Sequence, residues 1–316
     1  MTEAAPPPPP STQPRRLRLA PGLLAPLGVV ACAVIWGTTW FAITLQLGVV
    51  DPIVSISARF GLAAAVLFVG CLLTRRSLKA PWRAHVMFAG QGLFTFAIDY
   101  AFVYWAEQRV ASAVVAVIFA ALALVNLLLF RFAIGQKAAH GAWMGAALGL
   151  LGVFVLSGAE LLRADLDPAA VTGVAFAMIG VGGAAIGNVF AWKGQQMGMK
   201  ILPATAWAMA YGTGFLVLYG LMTGVEWRLE LTPQYLWSLI YLSIMGSVVA
   251  FVIYFWVARN AGYALASYIS ALTPPIAMLV SVLFEDARFG LAALLGLLLV
   301  LGGQGLLIRA NRKPTP

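Results

Sequence analysis

Two ionisable residues lie inside apolar stretches of the chain, where charged side chains are rare. Asp99 is set in the aromatic run 92–106, GLFTFAIDYAFVYWA, and Arg59 lies in the apolar run 53–73. A lone charge at the centre of a membrane helix costs roughly 2.5–3.5 kcal/mol on insertion scales, so such residues usually pair. We expect a buried ion pair between Arg59 and Asp99. A gate or substrate-amine contact, and proton uptake by Asp99, stay open as alternatives.

Aromatic and small polar residues accompany these charges deep within the apolar stretches. The rings offer flat faces that can stack on an aromatic or bulky apolar group. Hydroxyl and amide groups, with carbonyls freed at a helix break at Pro274 and Pro275, offer polar contacts. The candidate binding residues are Trp36, Thr38, Thr39, Trp40, Phe96, Tyr100, Asn188, Phe251, Tyr254, Ser267, Ser270 and Thr273. Plain core packing of the rings, and hydrogen bonds from the hydroxyls to the preceding helical turn, are the alternatives.

Residue types that serve enzymes and metal sites are few in this chain. Histidine occurs only at His85 and His140, both near predicted helix ends, so no arrangement of a nucleophile and a base is indicated. Cys32 and Cys71 lie in apolar stretches, where we expect them to pack as small apolar side chains. We therefore predict no enzyme, no cofactor and no metal site.

The composition places all these residues in membrane helices. Of the 316 residues, 62% are hydrophobic and 10% are charged, and the mean hydropathy is +0.91, which excludes an ordinary soluble domain. A helix needs roughly 20 apolar residues to cross a bilayer, and lipid offers no partner for unpaired backbone groups. Ten stretches qualify or nearly do: 23–45, 53–73, 84–105, 110–131, 141–159, 172–196, 204–224, 235–257, 264–284 and 289–308. The predicted fold is an all-α integral membrane protein with ten transmembrane helices.

The distribution of charge predicts the orientation of these helices. The net charge is +9, and fifteen of the twenty lysines and arginines fall on one side when the ten helices are threaded through a bilayer, with four on the other. This positive-inside asymmetry predicts that both termini are cytoplasmic, and it argues against nucleic acid as a partner. Asp99 is the only acid within a predicted span. The proline-rich segment 1–22 is predicted to be a disordered cytoplasmic tail, and 311–316 a second cytoplasmic tail.

The chain matches itself at a constant offset of 151 residues. The aligned pairs include Pro52 with Pro203, Gly61 with Gly212, Trp105 with Trp256, Gly145 with Gly296, and Gly152 with Gly303. Each copy holds five helices, and an odd number forces the second copy to enter the membrane from the opposite side. We predict two inverted five-helix repeats, at 23–160 and 170–310, around a central cavity that holds the substrate near the midplane.

Two ordered sets of motifs carry a family resemblance. The first is VIWGTTWFAITLQLGVVDPIVSISARFGLAAAVL, and the second is ISALTPPIAMLVSVLFEDARFGLAALLGLLLVLGG. Together they resemble the EamA family of the drug/metabolite transporter superfamily, over about residues 25–310. Three positions depart from the pattern: Ala123 and Ile134 replace a proline and an acid, and Ala42 stands where a basic residue is frequent. The resemblance implies a cavity lined by the first, third, fourth, sixth, eighth and ninth helices, supported from outside by the fifth and tenth.

The aromatic-rich third and eighth helices make the chain similar to an exporter of aromatic amino acids within that family. This resemblance predicts a monomeric secondary transporter of the bacterial inner membrane, which exports aromatic and other bulky neutral amino acids by alternating access. A multidrug or cation extruder of the same superfamily is the main alternative. A structural membrane protein without transport is disfavoured by the proline motif and the buried polar residues.

Overall fold

The computed structural model describes residues 21–48, 50–135, 139–163, 167–261 and 263–312, and the regular structure in these ranges is entirely helical. The ten helices are α1 (Pro21–Thr44), α2 (Pro52–Leu73), α3 (Trp82–Glu107), α4 (112–134), α5 (His140–Arg163), α6 (Pro168–Gln196), α7 (Ile201–Thr223), α8 (233–261), α9 (Tyr263–Phe284) and α10 (Leu291–Arg312). The two predicted tails lie almost wholly outside the described residues.

The first eight helices are long and apolar enough to cross a membrane, judged by length and composition. The apolar stretches described in α9 and α10 are shorter, at Leu272–Phe284 and Leu291–Leu306. The structure is therefore that of a multi-pass membrane protein. Crossing of the bilayer by α9 and α10 stays a prediction.

Local signals explain where several helices begin and end. Three helices start with a polar cap followed by a proline, because the cap accepts a free backbone N–H and proline has none to satisfy. The pairs are Asp51–Pro52, Asp167–Pro168 and Thr232–Pro233. Helices α4 and α7 end at Gly135 and Gly224, whose φ values of 68° and 71° favour glycine.

Helices α3 and α8 each contain a π-helical segment, which the hydropathy pattern does not predict. The segments are Gly92–Asp99 and Leu242–Val249, and they occupy equivalent places in the two predicted repeats. Glycines on the neighbouring helices let the first segment approach closely. Gly183 of α6 lies against the backbone of Asp99, where an added Cβ would be 3.2 Å from the Asp99 nitrogen.

Helices of the first predicted half pack mainly against helices of the second. The main contacts pair α5 with α10, α3 with α6, α2 with α7, α1 with α9, and α3 with α7. Helices α5 and α10 meet at glycines: a Cβ on Gly152 would touch the carbonyl oxygen of Gly296, and one on Gly303 would touch that of Gly145. The offset of 151 residues converts one of these contacts into the other. Close glycine contacts of this kind are typical of membrane helix interfaces.

Candidate functional site

A cavity of about 150 Å³ lies between α1, α3, α4, α6, α8 and α9. These are the six helices that the family resemblance implies. Ten of the residues singled out from the sequence line it: Trp36, Thr39, Trp40, Asp99, Tyr100, Asn188, Phe251, Tyr254, Thr273 and Pro274. The other lining residues are Ile43, Thr95, Val103, Ala116, Phe119, Leu122 and Ala184. The lining is thus aromatic and apolar, with one carboxylate and a few neutral polar groups.

Other candidate residues lie elsewhere. Thr38 is not among the lining residues, and its hydroxyl bonds to Tyr241, at 2.6 Å, and to carbonyl groups of its own helix. Phe96 is fully buried behind the wall, where its ring lies 5.0 Å from Phe60 and 5.2 Å from Phe251. The side chains of Ser267 and Ser270 lie outside the described residues.

Two tryptophans of α1 form part of the aromatic wall. The Trp36 ring lies 5.2 Å from the Phe251 ring and 5.4 Å from the Tyr254 ring, and its indole nitrogen donates to the Gly246 carbonyl at 3.1 Å. Trp40 lies 5.1 Å from Phe119, and its indole N–H has no acceptor among the described residues. Trp36 is therefore anchored, whereas Trp40 retains a hydrogen-bond donor.

The neutral polar groups of the lining are partly occupied by protein contacts. Thr39 and Thr273 donate to carbonyl groups of the preceding helical turn, at 2.8 Å in both cases, as one interpretation of the sequence anticipated. The amide of Asn188 donates to Asn126 of α4 at 3.3 Å. Because this contact uses one of the two amide hydrogens of Asn188, the other remains available to a ligand.

The predicted ion pair between Arg59 and Asp99 is not formed among the described residues. Asp99 is 5% exposed and lines the cavity, and one of its oxygens, Oδ1, has no hydrogen-bond partner. The Arg59 guanidinium instead donates to Ser247 at 3.1 Å and lies 4.6 Å over the ring of Tyr100. Tyr100 covers the side of α3 that faces Arg59, whereas Asp99 turns towards Gly180 of α6. Asp99 is the last residue of the π segment, whose i→i+5 hydrogen bonds change the direction of side chains relative to an α-helix.

The helix break expected at Pro274 and Pro275 is also absent from the described backbone, since α9 continues through both residues. Each proline lacks the N–H that would bond to the carbonyl four residues earlier. The carbonyl oxygens of residues 270 and 271 are consequently without their usual helical donor. The motif supplies acceptors without interrupting the helix. Pro274 lines the cavity, but Pro275 does not.

Glu107 corrects the expectation that Asp99 is the only acid within a span. The sequence placed Glu107 just beyond the third helix, in water. In the structure it is the last residue of α3, within a candidate membrane span, and only 7% of it is exposed.

Several lining residues were not predicted from the sequence. For two of them, the internal repeat contains a signal. The offset of 151 residues relates Val103 to Tyr254 and Leu122 to Thr273, and all four line the cavity. Projecting each candidate onto the other repeat would have found Val103 and Leu122. Thr95 lies four residues before Asp99, a spacing that brings side chains to one helix face.

Comparison with known proteins places this arrangement in a family. The model of the EamA-like transporter family matches the chain twice, at residues 23–158 and 171–309. The two matches together cover most of the chain, and each falls within one of the two predicted repeats.

Individual relatives extend over most of the chain at low identity. An uncharacterized transporter of Bacillus subtilis, YoaV, is 24% identical over 88% of this chain and 94% of its own length. An uncharacterized inner membrane transporter of Escherichia coli, YedA, is 28% identical over 79% of each chain. Protein PecM of Dickeya dadantii is 26% identical over 84% of this chain and 86% of its own. One crystal structure has a TM-score of 0.68 at 20% identity, covering 92% of this chain and 99% of the other, a likeness of fold alone.

Proposed function

Because this chain belongs to the EamA-like transporter family, we propose that it exports small metabolites bearing an amine, namely aromatic and other bulky neutral amino acids, across the inner membrane. The observation that carries the proposal is the aromatic cavity with Asp99 as its one carboxylate among the described lining residues. Aromatic rings stack on a bulky side chain, and a carboxylate binds an ammonium group. The membrane transporter role itself follows from the family.

Alternating access between two inverted five-helix repeats would deliver the substrate. The repeat at 23–160 and the repeat at 170–310 each contain one match to the family. Repeat-related residues meet at the cavity, as Tyr100 and Phe251 do. The π segments in α3 and α8, and the two repeat-related glycine contacts between α5 and α10, support the same symmetry. The excess of basic residues on one side supports cytoplasmic termini.

The lining offers a place for each part of an amino acid. The side chain of the substrate would lie among Trp36, Tyr254 and the other rings of the wall. Its ammonium group would donate to the carboxylate of Asp99, which lines the cavity. Its carboxylate would accept from the amide of Asn188.

A cation extruder of the same superfamily is the second candidate function, and a specific observation favours it. No lysine or arginine occurs among the described lining residues, so nothing there balances the charge of a substrate carboxylate ionically. A substrate with an ammonium group and no carboxylate would leave the cavity neutral. The two candidates therefore differ in whether the carboxylate of the substrate contributes to binding.

Three ligands that share one ring separate these functions. Binding of phenylalanine, phenethylamine and 3-phenylpropionate to the purified protein would be measured by calorimetry, followed by uptake into proteoliposomes. Amino acid transport predicts that phenylalanine binds best, whereas cation extrusion predicts that phenethylamine does. Tighter binding of the phenylpropionate, or no binding of any of the three, would contradict both.

The matched variants for this experiment are Asp99→Asn and Glu226→Gln. A hydrogen bond to a charged group contributes about 1.5–3 kcal/mol, so Asp99→Asn should weaken phenylalanine and phenethylamine binding about 10- to 150-fold. Glu226 is exposed at the end of the bundle, where it pairs with Arg228, so its substitution should leave binding unchanged. Wild-type affinity for both amines in Asp99→Asn would show that the amine does not bind there.

A further inference from the structure

The end of the bundle where α1, α3, α4 and α9 meet is closed by buried polar side chains. Gln46, Tyr104, Glu107 and Ser112 are all less than one-tenth exposed. Glu107 lies four residues beyond Val103, which lines the cavity, so these groups separate the cavity from the end of the bundle. Carboxylates are almost never buried in this way unless they are paired.

Glu107 has no visible partner for either of its oxygens. Both carboxylate oxygens are buried, and neither has a hydrogen-bond donor among the described residues. An ionised carboxylate is strongly disfavoured in such surroundings, whereas the neutral acid is tolerated. The nearby Gln46 accepts from Tyr104 at 2.8 Å, while its own amide nitrogen is also buried without an acceptor among these residues.

A second carboxylate acts on Glu107 from the end of α9. Glu285 accepts hydrogen bonds from Ser112, at 2.7 Å, and from Ser281. The negative charge of Glu285 repels that of an ionised Glu107. Two adjacent carboxylates resist ionising together, and a single bound proton removes their repulsion.

Two arginines near this end contact groups other than the Glu107 carboxylate. Arg59 acts electrostatically on Glu107 and on Asp99, its guanidinium contacts Ser247, Tyr100 and Tyr104, and its Nη1 has no hydrogen-bond partner among the described residues. Arg109 donates to the carbonyl of Trp105 and lies over the ring of Phe176. The charged groups that act on Glu107 are thus Arg59 from α2 and Glu285, just beyond the end of α9.

We propose that Glu107 binds a proton that keeps this end of the cavity closed. When the proton leaves to water, the carboxylates of Glu107 and Glu285 repel each other, and the end of α3 moves away from the end of α9 to open the cavity here. This inference rests on the proposed alternating access in one respect: the cavity must open at the end of the bundle that holds Glu107.

Cysteine accessibility tests the coupling of this proton to opening. Ala116→Cys places a thiol in the cavity, and Leu229→Cys places one at an exposed position near the same end. Both would be made in a chain whose two native cysteines are replaced by alanine, and reacted with an impermeant maleimide in proteoliposomes. The same pair of thiols in Glu107→Gln controls for the titration of the thiols themselves.

The expected ratio rises with pH in the otherwise unchanged protein. An equilibrium linked to one proton shifts by up to about tenfold per pH unit. In Glu107→Gln the side chain is neutral at every pH, so the ratio of labelling rates should stay low as the pH rises. In Glu226→Gln the ratio should rise as it does in the protein without this substitution. A ratio in Glu107→Gln that follows pH as the parent does would overturn the proposal.

Infrared spectroscopy measures the bound proton directly. The carbonyl band of protonated carboxyl groups at neutral pH should lose amplitude in Glu107→Gln and stay unchanged in Glu226→Gln. If Glu107→Gln does not fold, Glu107→Asp replaces it. This variant should shift the frequency of the carbonyl band and the pH at which the ratio of labelling rates is half-maximal. An unchanged band in the variant overturns the proposal. Neither measurement uses a substrate, so failure here is distinguishable from failure of the amine site.

Discussion

The glycine contact between α5 and α10 gives a prediction whose size follows from the structure. In Gly152→Ala, the new methyl group would lie 2.5 Å from the carbonyl oxygen of Gly296 and 2.7 Å from the nitrogen of Val300. Both distances are far below normal contact, and both neighbours are backbone, so the helices must separate. Overpacking of this kind costs about 1–3 kcal/mol.

The control is Gly149→Ala on the same helix, where the added methyl group meets nothing within 4 Å. Both substitutions gain about 0.8–1 kcal/mol of helix propensity, so the difference between the two variants isolates the packing cost. We expect Gly152→Ala to have a free energy of unfolding about 1–3 kcal/mol lower than Gly149→Ala.

The free energy of unfolding would be measured in mixed detergent micelles by denaturant titration, followed by tryptophan fluorescence. The repeat supplies a second pair: Gly303→Ala should be costly in α10, whereas Gly305→Ala meets open space and should not be. Equal stability of Gly152→Ala and Gly149→Ala would refute the close contact. A cost at residue 152 without one at residue 303 would refute the symmetry of the interface.

Three further substitutions test other parts of the structure. Tyr235→Phe removes a buried hydrogen bond to Ser55, 2.9 Å long, and should lower the free energy of unfolding by about 1 kcal/mol in denaturant titration; no change would show that the hydroxyl finds water instead. Phe119→Ala enlarges the cavity and should improve the affinity of naphthylalanine relative to phenylalanine in calorimetry, whereas an unchanged preference would place that ring away from the substrate. Asn126→Ala removes the partner of Asn188 and should weaken phenylalanine binding more than phenethylamine binding, since only the former has a carboxylate.

Hydropathy predicts the helices well because lipid exposure requires apolar residues at almost every position. Most of the cavity is also predictable, since polar and aromatic residues in mid-span, such as Trp36 and Asn188, have few other places to go. The direction in which a side chain points around its helix is harder to predict from the sequence. In the structure Tyr100, which directly follows the π segment Gly92–Asp99, lies against Arg59, and hydropathy gives no signal for a π segment.

The burial of Glu107 could not be read from the sequence for a related reason. A carboxylate at the end of an apolar helix is usually in water, and hydropathy assigns it there. The polar residues at this end of the bundle, Gln46, Ser112 and Glu285, come from three other helices or their ends. Contacts between residues so distant in the chain leave no local pattern.

The pairing of helices across the two halves has a consequence for biogenesis. Helices α1 to α5 each have a main partner in the later half of the chain. The ribosome therefore releases the first five helices before the surfaces they bind exist, and they must wait in the bilayer as loosely associated segments. Two fragments produced from separate genes should consequently accumulate only when both are made together.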